Sequence, residues 1–226
     1  MRQIGSESWR FGEETAQIPH GLLFVRDALG LDVEGAADIP PRLAGDVPNL
    51  GHLLAPRLHL EAAAQWPSWW RAVVQQEVAM HLGQGDIEGR QRRTTMRVVD
   101  PPEWSSLDDQ PALQAAARAT FEQGCQWFDS KRRPLQPPQH QAGLFEWRAT
   151  KDIAERVAAE LGVSVGLITG FVMVFLVEGV WWELTSSGVA FCSLTATQHS
   201  EIAEIIQRSV FASGVPGGPT LGVAES

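Results

Sequence analysis

The chain has 226 residues, 44% of them hydrophobic and 20% charged, enough to bury a core in one large domain or two small ones. Its formal net charge of −9 argues against indiscriminate binding to DNA or anionic membranes, since both need positive potential around the protein. The only cysteines, Cys125 and Cys192, specify neither a disulfide framework nor a cysteine-rich zinc site and read as buried small hydrophobes.

The opening residues, MRQIGSESWRFGEE, contain no apolar core of a secretory signal, so a cytoplasmic location is expected. IPHGLLFVRDALG (18–30) reads as a short helix with Pro19 at its start and Gly30 at its end. Pro40, Pro41 and Pro48 then forbid a continuous helix. WPSWWRAVVQQEVAMHLG (66–83) has Trp70, Val74, Val78 and Leu82 at helical spacing, with Trp69 and Val73 widening the stripe and Pro67 opening it. TTMRVVD (94–100) reads as a strand stopped by Pro101 and Pro102. With nine Trp and no Tyr, this N-terminal half is expected to pack around tryptophan anchors.

From Pro111 a helix carries Leu113, Ala117, Phe121, Cys125 and Phe128 on one face, with Lys131, Arg132 and Arg133 at the end that the helix dipole favours. LFEWR (144–148) is β-like. Thr150 is placed to cap a helix from Lys151 to Leu161 that buries Ile153, Ala154, Val157, Ala158 and Leu161. Gly162 ends that helix, and Ser164 is placed to cap a second over 165–177. VWWEL (180–184) and VAFCSLT (189–195) flank a hairpin turn, and SEIAEIIQRSVFA (200–212) is an amphipathic helix with Ile202, Ile205, Ile206 and Val210 inward.

The run from Val163 to Val177 has no charge. It is too short for a membrane span, which needs about 20 apolar residues. A buried β-strand fits the same residues, because periodicity alone does not separate the two. The order of neighbours favours a helix. IAERVAAELGVSVGLITGFVMVFLVEGVWWEL then resembles the middle of a winged helix-turn-helix domain, with LGVS (161–164) as the turn and EG (178–179) leading into the wing.

The resemblance implies a winged-helix-like domain over about 111–195. The expected class is α+β, mostly helical: an N-terminal helical region (1–100), a winged-helix-like domain with an appended helix (101–212) and a disordered tail (213–226). Members of that family that bind DNA carry basic and amide side chains on the second helix. Here that helix would be apolar nearly all round, and residues 144–213 hold four Lys or Arg against eight Asp or Glu.

A protein partner or a second copy of the chain is therefore the expected cover, through Phe171, Val174, Phe175, Trp181 and Trp182. The leading reading is a non-catalytic interaction or regulatory protein. One alternative is a transcriptional regulator that contacts DNA through the wing and Arg90, Arg92, Arg93 and Arg97, a run that suits phosphate. A second is an enzyme with an unpatterned site between the two halves. His52, His59, Glu61 and His81 match no metal-ligand spacing, and no motif implies a cofactor.

Overall fold

A computed structural model of the protein describes residues 9–33, 38–82, 98–132, 143–186 and 188–215. Its elements run β1 (Arg10–Glu14), α1 (Gln17–Leu29), α2 (Pro56–Leu82), α3 (Pro111–Arg132), α4 (Trp147–Leu161), β2 (Thr169–Phe175), β3 (Trp182–Ser186), β4 (Val189–Ser193), α5 (Leu194–Gln198) and α6 (Ser200–Gly214). The class is α+β and mostly helical, as expected. The chain divides into two compact units, but not near residue 100. Residues 1–15 join 137–226 in a sheet unit, and 16–136 form a helical unit inserted between β1 and α4. The helix from Pro111 thus belongs with α1 and α2.

The reason lies in how α1 meets α3. A Cβ at Gly21 would stand 2.6 Å from the Phe121 ring, and one at Gly124 would stand 2.8 Å from Cβ of Phe24. Each helix offers a glycine to the other's phenylalanine, so the backbones approach closely. Gly30, at φ 65°, closes α1 in the left-handed region, and its N–H donates to the carbonyls of Arg26 and Asp27. A helix start at Pro67 is not observed. α2 begins at Pro56 and passes through Pro67 without ending. Interior proline costs about 3 kcal/mol, but here the first three tryptophans around it, Trp66, Trp69 and Trp70, are all buried. Their packing outweighs the lost backbone bond. Of the strand expected over 94–100, residues 94–97 lie outside the described residues, and 98–100 form no strand.

In the sheet unit the helix expected over 165–177 is replaced by a strand. Gly162 at φ 65° ends α4, and Ser164 Oγ accepts from the Gly166 N–H, but the turn it caps is a single 3₁₀ turn, Val165–Leu167. β2 follows. The sheet order is β1-β2-β4-β3, with β1, β2 and β4 parallel and β3 antiparallel to β4. A central strand of a parallel arrangement is buried on both faces and reads as an unbroken apolar run, and Val172, Met173, Val174 and Phe175 are all fully buried. The resemblance to a winged helix-turn-helix loses the helix on which it rested.

One face of the sheet, with Val172, Val174, Ala190 and Cys192, packs on Ile206 and Val210 of α6. Gly170 lets α6 in, since a Cβ there would collide with Val210. The expected hairpin forms as β3–β4. α6 forms too, although Ile205 is 49% exposed rather than inward. LFEWR is not a strand: α4 begins at Trp147, its N-cap residue is Glu146, and Thr150 Oγ1 donates back to the Glu146 carbonyl. Ser213 and Gly214 close α6 and Val215 is buried, while 216–226 lie outside the described residues.

Candidate interaction surface

The residues expected to meet a partner fall into two groups. Val174 and Phe175 are fully buried inside the sheet unit and offer nothing to a partner. This corrects the expectation and follows from the strand: side chains on both of its faces become core. Phe171 is half-buried, over the space left by Gly12. Trp181 and Trp182 are also half-buried and diverge, as neighbours in extended chain do. Trp182 packs on the α6 side, whereas the Trp181 ring meets Phe175 edge-on at 6.3 Å and the Trp181 backbone N–H donates to Ser193 Oγ. Arg90, Arg92, Arg93 and Arg97 lie outside the described residues.

The exposed aromatic surface of the sheet unit lies elsewhere. Trp147, the first residue of α4, is 57% exposed. Its ring lies on Trp9 at 4.5 Å, and Trp9 meets Phe211 of α6 edge-on at 6.2 Å. Phe211 in turn meets Phe11 at 5.5 Å, and Phe11 meets Phe145 at 5.4 Å. Five rings thus run from the exposed Trp147 to the buried Phe145, with the buried Phe211 in the middle. The available signal was the pairing W-x-F (9–11) and F-x-W (145–147), aromatic residues two apart in segments distant in sequence.

Between these segments stands Glu13. Its carboxylate accepts the Leu144 N–H at 2.5 Å and the Phe145 N–H at 3.0 Å. Gly143 has no room for a side chain there, since a Cβ would run into Glu13 Oε1. Burial pushes the Glu13 carboxyl above its usual value, against the pull of the two N–H donors. Burial, reinforced by Glu13, raises the Cys192 thiol to about 12, which removes it as a nucleophile. Cys125 is raised to about 11, again chiefly by burial, and both cysteines are free.

Several polar groups buried in the helical unit hold its parts together. Trp66, Trp70 and Trp127 donate their indole N–H to the carbonyls of Leu22, Asp38 and Asp46, and Trp69 donates to Val98. Four of the nine tryptophans are thus anchors, Trp66 tying α2 to α1 and the other three tying loops to helices. Arg26 is buried over the Trp66 ring, paired with Asp27, and donates to the carbonyls of Pro40 and Pro41. His59 Nε2 lies 3.0 Å and 3.1 Å from the carbonyls of Gly51 and Leu54, while His52 and Glu61 are exposed. The side chain of His81 is outside the described residues. Among the described residues no three of His, Cys, Asp and Glu gather around one point, and no helix is long and apolar enough to cross a membrane.

Set against known proteins, the chain matches no family model, no curated protein and no solved structure. Its own residues are what the functional reading stands on.

Proposed function

We propose that this is a non-catalytic, cytoplasmic interaction protein that holds a protein partner through the face carrying Trp9 and Trp147. A single observation supports it: Trp147 is 57% exposed, yet its ring is held by Trp9 against a buried Phe211. An indole in that position loses little side-chain freedom on docking, and tryptophan is enriched among the residues that dominate interfaces. Covering the exposed half of such a ring removes about 100 Å² of apolar surface from water, or about 2–3 kcal/mol. Leu167 and Ile205, at 50% and 49% exposure, add apolar area to the same unit. Free, unpaired thiols suit a reducing compartment.

The DNA-binding alternative, contact through the wing and Arg90, Arg92, Arg93 and Arg97, rests on arginines that lie outside the described residues. Trp147→Ala tests the interaction reading. Light scattering and affinity capture should show loss of the partner, or of a second copy of the chain, while circular dichroism is unchanged. An unaltered mass and an unaltered set of captured proteins would refute it.

A further inference from the structure

The topology puts a demand on one short stretch of chain. The polypeptide leaves the sheet unit just after β1 and returns just before α4, with residues 16–136 in between. A sheet unit interrupted in this way needs something to hold its two crossings together. The described contacts that do so lie at Glu13.

Both oxygens of the Glu13 carboxylate are engaged, one by the Leu144 N–H and one by the Phe145 N–H. Charge-assisted bonds of this kind are short and strong, and two on one carboxylate fix its partner in direction as well as distance. Gly143 supplies the clearance that lets the returning backbone come this close. Phe11 and Phe145 meet edge-on immediately beside it. Four residues before Glu13 stands Trp9, and two residues after Phe145 stands Trp147, the tilted pair of rings in contact near the surface. The same clasp that closes the neck of the insertion therefore sets the spacing of those two indoles.

We propose that Glu13 is a latch that closes the neck of the inserted unit and holds the Trp9–Trp147 pair together, so that docking at Trp147 and closure of the neck are coupled. The latch stands on its own geometry; its regulatory meaning rests on the reading of Trp147 as a docking residue. Coupling of this kind is reciprocal: a partner that covers Trp147 slows opening of the latch, and opening the latch weakens the partner.

The test uses the full chain and the variant Glu13→Gln. Glutamine keeps the size but turns one acceptor into a donor, so either Leu144 or Phe145 loses its bond. Hydrogen exchange at whichever of the two amides loses its acceptor should accelerate about tenfold or more, as expected for loss of a charge-assisted bond. In chain labelled with fluorotryptophan, the ¹⁹F signals of Trp9 and Trp147 should move while those of Trp66, Trp70 and Trp127 stay. Unchanged exchange, or unmoved Trp9 and Trp147 signals, would overturn the latch.

The unaltered chain gives a second arm that does not depend on the variant folding. Its Leu144 and Phe145 amides should exchange at least about a hundredfold slower than free amides, and unprotected amides there would equally overturn the proposal. Trp147→Ala separates the two ideas, because it leaves both Glu13 bonds in place. If it costs no binding while Glu13→Gln still frees the amides, the docking reading fails and the latch survives.

Discussion

His20 sets a pH limit on the helical unit. It is fully buried on α1, its ring lies 4.3 Å from that of Phe128, and its Nδ1 is 2.6 Å from the Ala16 carbonyl. Burial pulls its pKa from 6.5 down to about 4; the Ala16 carbonyl pulls the other way, and Arg132 adds to the lowering. The folded chain thus keeps the imidazole neutral at a pH where the unfolded chain protonates it. Stability from this group is complete above about pH 6.5 and is lost as pH falls from there towards 4. At about 1.4 kcal/mol per pH unit, the gap amounts to about 3 kcal/mol. Carboxylates also titrate over part of this range, so the informative quantity is the difference from His20→Asn, whose side-chain amide can still donate to Ala16 but does not titrate. Urea unfolding at intervals from pH 8 to 4.5 should find the variant less stable at pH 8, with the gap closing as pH falls. The reasoning is refuted if the gap stays constant, or if the folded chain's imidazole titrates near 6.5 by NMR.

Other consequences of the packing are open to the same methods. Gly124→Ala forces a methyl onto Cβ of Phe24 at the α1–α3 crossing and should cost about 1–3 kcal/mol in urea unfolding. The Thr150 hydroxyl accepts from Gln207 Nε2 at 2.7 Å in the buried layer between α4 and α6. Thr150→Val should cost about 1–3 kcal/mol by stranding that amide, and a double-mutant cycle with Gln207→Leu should show strong coupling. Gly162→Ala, at a left-handed position with open space around it, should cost about 1–2 kcal/mol by backbone strain alone.

Elements whose signal is local were legible in the residues. α1, α3 and α6 have helical periodicity with a proline, glycine or charge cluster near an end, and the hairpin has its turn residues between two apolar runs. β2 was not legible in this way, because a fully buried strand and a buried helix have the same apolar composition. What decides between them is the pairing of β2 with β1 and β4, and β1 comes from far away in the chain. β1 itself, RFGEE, ends in two acids and alternates poorly, so nothing in it announced a strand. Trp147 was passed over for a related reason: its importance comes from Trp9, a residue far from it in sequence. The tryptophans singled out at 181 and 182 followed from a helix that is not there.

The pairing of β1 with β2 also has a consequence for biosynthesis. Phe11 lies opposite Gly170, so β1 leaves the ribosome 159 residues ahead of the strand it needs. At about 5–20 residues per second, that is a delay of roughly 8–30 seconds. During that interval the whole of 16–136 emerges and is free to fold on local contacts, while an orphan strand waits on the nascent chain. β1 thus waits for a partner made long after it, and its short length and paired acids keep it from finding a different one first.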